Sequence, residues 1–138
     1  MRMKYLAKLM HHKINRTLDV HYVTMEGMHL AREIGFNEVN VSFIGTSISE
    51  LAMNIIKYGV RGYINAEQID DVTKGVGIAI EVQDYGPGIA DIKLALSDYS
   101  SSGTLGLGLQ AVRRMMDEFE IVSDGEKGTL VRMKKWLN

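Results

Sequence analysis

The chain has 138 residues, of which 46% are hydrophobic and 24% charged, with a formal net charge of −1. That length and balance suit one globular domain around one core, and the lack of a basic surplus argues against non-specific nucleic-acid binding as its main task. The sequence contains no cysteine, which excludes disulfides, thiolate catalysis and cysteine-based zinc sites.

Residues 1–10 are basic and leucine-containing like the start of a signal peptide, but Lys8 interrupts the apolar stretch and no small-residue cleavage site follows. Residues 1–11 therefore read as an N-terminal extension and residues 12–138 as a single domain. No apolar run reaches membrane-spanning length, so a cytoplasmic protein with no membrane partner is expected. Ile14 to Leu18 reads as a short first strand. Asp19 then caps a helix whose apolar face is Val20, Val23, Gly27, Leu30 and Ile34, with Gly35 as its stop.

Asn37 caps a second helix that runs to about Tyr58, with Val41, Ile44, Ile48, Leu51 and Ile55 at helical spacing. Val60 to Ile69 suits a modest strand, and residues 70–75 a turn. Gly77 to Gln83 is the clearest strand, with Ile78, Ile80 and Val82 alternating on one face. Asp91 to Leu96 reads as a short helix and Ser97 to Gly108 as a loop. A helix follows, carrying Leu109, Val112, Met116 and Phe119 on one side. Glu120–Ser123 and Thr129–Trp136 close the chain as two strands around a turn. Helices grouped around strands joined by short turns predict an α+β fold, a two-layer sandwich with a mainly antiparallel mixed sheet.

Three motifs carry chemistry, and their order matters more than any one alone. Glu50 and Asn54 are four apart and share a helix face. Asn offers a neutral oxygen suited to Mg²⁺, and Glu can take a proton from a hydroxyl; on spacing alone an exposed polar stripe is the commoner explanation. Asp84 ends the best strand before Gly86, Pro87 and Gly88. Its carboxylate can accept a hydrogen bond from an exocyclic amine such as that of adenine, while the same residues also make an ordinary turn. Gly103, Gly106 and Gly108 precede a helix, where unpaired backbone N–H groups attract phosphate. Ser100, Ser101, Ser102 and Thr104 add hydroxyls. This is not a Walker A loop, because no Gly-Lys-Ser/Thr follows. A flexible glycine loop is its plain alternative. Together, in this order within one small domain, the three point to an ATP site.

Glu50-x-x-x-Asn54, Asp84-x-Gly86-x-Gly88 and Gly103-x-x-Gly106-x-Gly108 resemble the N, G1 and G2 boxes of the GHKL (Bergerat-fold) ATP-binding superfamily. Gly128-Thr129 resembles its late Gly-Thr element. The likeness covers about residues 12 to 137, nearly the whole chain, and the order and spacing of the motifs agree with it. Within the superfamily, Ile48–Ile55, Gln83–Ile92, Ser101–Leu109, Val112–Phe119 and Lys134–Leu137 resemble the small bacterial serine kinases of the RsbT switch type. These are related to the RsbW and SpoIIAB anti-sigma kinases.

The resemblance implies that adenine lies against Asp84 and Thr129, that Asn54 holds Mg²⁺, and that Glu50 is the catalytic base. Gly86, Gly88, Gly103, Thr104, Leu105, Gly106 and Gly108 would line the nucleotide, with Ser97 to Gly108 as a lid over the triphosphate. It implies a STAS-domain antagonist or scaffold as substrate, a PP2C-type phosphatase as a second partner, and a sigma factor in the related anti-sigma kinases. A nucleotide-gated binding module with weak catalysis is a third reading.

Residues Leu96 to Gly103 carry no Lys or Arg, a departure from what γ-phosphate neutralisation would use. Arg113 and Arg114 are candidates for that role, against a solvated basic helix face. His21 and His29 are eight apart, too far to chelate one ion without other ligands. The nine methionines fill core gaps. Trp136 either anchors the last strand or forms part of a docking surface.

Overall fold

Alternation and helical spacing place most of the elements, and the computed structural model describes residues 8–59, 61–86, 108–124 and 127–138. The chain order is β1 (Leu9–Ile14), α1 (Thr17–Ile34), α2 (Glu38–Asn54), a π-helical turn (Ile55–Gly59), β2 (Gly62–Asp71), β3 (Gly75–Asp84), α3 (Leu109–Met115), β4 (Glu118–Asp124) and β5 (Gly128–Trp136). The five strands form one sheet in the order β1-β2-β3-β5-β4, antiparallel at every pairing. The helices and the inner sheet face share one hydrophobic core, so the fold is the α+β two-layer sandwich expected.

Register sorts the inner face into rows. Met10, Ala66, Ile80, Met133 and Phe119 align across all five strands, and His12, Ile64, Val82, Val131 and Ile121 form the next row. The third row is Ile14, Gly62, Asp84, Thr129 and Ser123. Side chains two apart on a strand share a face, so Asp84 continues the buried side of β3 where an apolar residue would otherwise stand. Ile14, Ile44, Ile48, Ile55, Ile64, Ile78 and Ile80 are fully buried, each worth roughly 1.5–3 kcal/mol of transfer free energy.

α1 and α2 lie against one another through small residues. A Cβ on Gly27 would overlap Ile48, and one on Gly45 would stand 2.7 Å from Met28 Cγ. Those two contacts run in opposite senses along the helices, so the N-terminal half of α1 flanks the C-terminal half of α2. Asn37 caps α2 as expected, its Oδ1 accepting from Asn40 N at 2.9 Å. Gly35 ends α1 with φ 120°, its N–H and that of Phe36 both reaching Ala31 O.

Several boundaries differ from the sequence reading. β1 begins at Leu9 and ends at Ile14, and α1 starts at Thr17, so no strand runs from Ile14 to Leu18. Leu9 to His11 pair with Asn65 to Glu67, which moves three residues of the expected extension into the sheet. Asp19 is not the cap but the third helical residue. Its carboxylate accepts from Asn15 N and Arg16 N at 2.9 and 3.0 Å, closing the turn between β1 and α1. These backbone donors lower its pKa. Phe119 belongs to β4 rather than to the preceding helix, which stops when Met116 turns extended. The expected helix at 91–96 and the loop before Gly108 lie outside the described residues.

The segment Glu38–Tyr58 is long and apolar enough, by length and composition, to cross a membrane, contrary to the sequence expectation. Its Val41, Ile44, Ile48, Leu51 and Ile55 are nevertheless buried in this core, as befits a central helix.

Candidate functional site

One end of the sandwich carries the described residues of the motifs. β1 ends at Ile14 in the Asp84 row, and α1 starts three residues later beside the C-terminal half of α2. That half carries Glu50 and Asn54. The π-helical turn then leads back to Gly62, also in the Asp84 row. Single π turns inside helices occur often at functional sites, because they re-aim the side chains around them.

Asp84 is held by backbone. Gly86 N donates to its Oδ1 at 2.9 Å, and the Thr129 N–H also reaches the carboxylate. Burial nevertheless raises its pKa above the ordinary aspartate value, outweighing those donors. The strands close tightly around it. A Cβ on Gly62 would overlap Gln83 O and lie 3.0 Å from Asp84 Cα. On the other side Gly128, at φ 82°, passes so close that a Cβ would overlap Asp84 O. Gln83 Nε2 completes the frame, donating to Asp84 O at 2.6 Å and to Lys127 O at 3.1 Å.

Thr129 is 6% exposed, and its hydroxyl pairs with Ser123 Oγ at 2.9 Å. Tyr85 turns away from this face. Its ring lies 6.4 Å from that of Tyr63 and takes the Arg61 guanidinium at 5.5 Å.

Glu50 meets the start of α3. Gly108 has φ 64°, and a Cβ there would overlap the Glu50 carboxylate, standing 3.0 Å from its Cδ. Only glycine satisfies both the left-handed backbone and that approach. Asn54 follows one turn on along the same face of α2. Arg113 and Arg114 are exposed in the last turn of α3, away from Gly108.

The structure thus brings Glu50 to Gly108, and Gly86 and Thr129 to Asp84. Gly88, Gly103, Thr104, Leu105 and Gly106 lie outside the described residues. Gly62 and Ser123 join the Asp84 row from outside the three motifs. A glycine inside a strand pattern signals close backbone approach, so Gly62 was findable; the Ser123–Thr129 pair needs the register of β4 on β5. A cavity of about 670 Å³ opens elsewhere, on the outer sheet face over Ala79, Glu81 and Arg132. It shares no residue with the three motifs.

The half-buried, backbone-held carboxylate of Asp84 suits a neutral amine donor, and the glycine at the start of α3 lets that backbone approach the Glu50 carboxylate closely. Residues 17–135 match the family described as the histidine kinase-like ATPase domain. The chain belongs to this family. It is 46% identical over 112 residues to the serine/threonine-protein kinase RsbT of Bacillus subtilis (strain 168), covering 80% of this chain and 84% of that one. It is 36% identical over 101 residues to the anti-sigma F factor of Thermoanaerobacter sp. (strain X514), covering 70% and 71%.

Two solved histidine kinase structures share the fold. The catalytic domain of ThkA superposes with a TM-score of 0.56 at 18% identity, over 93% of this chain and 96% of that one. The histidine kinase domain of the blue-light activated kinase from Erythrobacter litoralis EL346 gives 0.52 at 18% identity, with this chain spanning 60% of its length. The chain is accordingly an ATP-binding enzyme of kinase class, as the family resemblance implied.

Proposed function

We propose that the protein is an ATP-dependent serine/threonine protein kinase of the partner-switching type, in which Glu50 is the catalytic base. The observation that supports this most is the Glu50 carboxylate lying against Gly108 at the head of α3. A base at that junction stands where a helix N-terminus draws phosphate. Asp84 accepts a hydrogen bond from the adenine amine, with Gly86 and Thr129 fixing the carboxylate. Gly88, Gly103, Thr104, Leu105, Gly106 and Gly108 would line the nucleotide.

Asn54 would hold Mg²⁺ through its amide oxygen, and the ion would supply neutralisation of phosphate charge. The acceptor hydroxyl oxygen forms the new bond to phosphorus, the bond to the ADP oxygen breaks, and the hydroxyl proton passes to Glu50. Positioning and charge neutralisation supply most of the rate in such transfers.

The substrate we propose is a STAS-domain antagonist, and a PP2C-type phosphatase is the partner bound after transfer. The 46% identity to RsbT supports this reading. Direct binding of a sigma subunit is a second reading, favoured by the 36% identity to an anti-sigma F factor. A cytoplasmic location fits both.

The test is phosphotransfer from labelled ATP with Mg²⁺ to a STAS-domain protein of the same genome, with Glu50→Gln alongside. Serine or threonine labelling that needs Glu50, with ATP still bound by the variant, is expected. Labelling that survives Glu50→Gln would remove the base from this position. No labelling by wild type, despite tight ATP binding, would favour a nucleotide-gated binding module.

A further inference from the structure

Lys135 is a buried charge that the kinase mechanism leaves without a task. It faces the helices from β5, opposite Ile78 in the register, and is 7% exposed. An ammonium in such a place is costly unless its protons and charge are matched. Nζ donates to Met115 O at 2.8 Å, lies 3.8 Å from Asp117 Oδ1, and sits 5.4 Å from the centre of the Phe43 ring.

Each contact has a structural address. Met115 is the last residue of α3, so its carbonyl is one of those a helix end leaves unpaired, at the negative end of the dipole. Asp117 stands in the link to β4, and its Oδ2 accepts from Trp136 N at 2.8 Å. Phe43 is on α2. At seven residues, α3 is too short to hold its place by its own hydrogen bonds.

The spacing along the two helices matches. Phe43 precedes Glu50 by seven residues, or about 10.5 Å of helix. Gly108 precedes Met115 by the same number. Glu50 meets Gly108 at one end, and Phe43 meets Met115 through Lys135 at the other. α2 and α3 therefore run antiparallel over one matched span. Ser47, fully buried, lies on the same stripe of α2 between Phe43 and Glu50.

We propose that Lys135 is a positioning residue for phosphotransfer. By clamping the C-terminal carbonyl of α3 beside Phe43 of α2, it holds Gly108 against the Glu50 carboxylate. The inference rests on the kinase reading. Asp84 lies six positions away along the strands, at the opposite end of the inner face: Lys135 pairs with Ile78, and Asp84 with Thr129. Loss of the clamp thus disturbs the base and spares the adenine contact.

The test variant is Lys135→Met, which keeps the apolar stem and removes the charge. ATP affinity by calorimetry should stay near wild type. The kcat for a STAS-domain protein should fall by about tenfold or more, since misplacements near 1 Å cost up to about a hundredfold. Lys135→Arg should recover part of the rate. A folded Lys135→Met with wild-type kcat overturns the proposal.

Should that variant not fold, Phe43→Leu removes the ring beside the ammonium and keeps the packing. The same split between kcat and ATP affinity is expected, and an unchanged kcat again overturns the proposal. Amide hydrogen exchange over residues 109–116 separates the two readings. Faster exchange in Lys135→Met, with a wild type that transfers no phosphate, upholds the clamp and rejects the kinase. Unchanged exchange with an active wild type rejects the clamp.

Discussion

At one end of the inner sheet face stands Asp84, and at the other Lys135, each a charge where its neighbours along the strand are apolar. Lys135 is matched by a carbonyl, a carboxylate and an aromatic ring from three separate elements. Asp84 is held by backbone N–H groups of Gly86 and Thr129, and burial still pushes its pKa up. The first arrangement ties elements together. The second leaves a carboxylate whose charged form gains when a further donor arrives. Carboxylates with raised pKa values cluster at functional sites, although ion-pair networks perturb such values too.

The largest expected effect tests how rigid the Asp84 frame is. Gly128→Ala puts a Cβ at φ 82° into the Asp84 carbonyl and 3.0 Å from Tyr85 Cα. Both obstacles are backbone, so neither can rotate away. A loss of about 3 kcal/mol in unfolding free energy is expected, in the range of strained backbone positions, together with weaker ATP binding. Gly45→Ala is the control. Its Cβ meets Met28 Cγ at 2.7 Å, a flexible side chain, and helix propensity gains about 1 kcal/mol. Denaturant midpoints for the two variants measure the contrast. Equal losses would mean that the site end is no stiffer than the helix pair.

Next comes the charge itself. Asp84→Asn keeps an oxygen for Gly86 N and removes the half-buried charge. ATP affinity should fall by about 10- to 100-fold, the value of a hydrogen bond to a charged group, while the free protein becomes no less stable. The pH dependence has a definite sign. A carboxylate with a raised folded pKa favours the fold below its unfolded value near 3.8, and that stability is lost as pH rises through the folded value. The Tm difference between Asp84→Asn and wild type should therefore be larger near pH 7 than at about pH 3.5. Unchanged affinity by calorimetry would move the adenine site away from this row.

Much of this arrangement could be read from residues alone. Ile78, Ile80 and Val82 alternate so clearly that β3 was evident, and with it the strand-end position of Asp84. α2 announced itself by spacing and by Asn37. β1 did not, because His11, His12 and Lys13 blur the alternation of an edge strand whose inner residues are Met10, His12 and Ile14. Phe119 continued the spacing of Leu109, Val112 and Met116 by coincidence, across a helix that ends at Met115. The meeting of Glu50 with Gly108 joins residues 58 positions apart, and no local pattern encodes it. Lys134 and Lys135 are identical letters whose fates differ only by strand parity, which needs the register of β5 on β3.

The smallest expected effect concerns the other side of the same strand. Arg132 points to the outer face, with Nε 3.4 Å from Glu81 and Nη1 3.2 Å from Glu120, and its side chain is 57% exposed. Glu81 also accepts a 3.5 Å bond from the Tyr63 hydroxyl. Ion pairs at such exposure are worth about 0–1 kcal/mol and weaken with salt. Arg132→Ala should therefore shift the denaturant midpoint little, and less still at high salt, although it removes two ion pairs from the strand that also carries Lys135. The inner lysine matters because its own ammonium stem is buried at 7% exposure, whereas the outer arginine is 57% exposed and already in water. A loss well above about 1 kcal/mol would contradict that distinction. It would mean that the outer face, with its open cavity, is covered in solution, so that Arg132 is as buried in the working assembly as Lys135 is in the single chain.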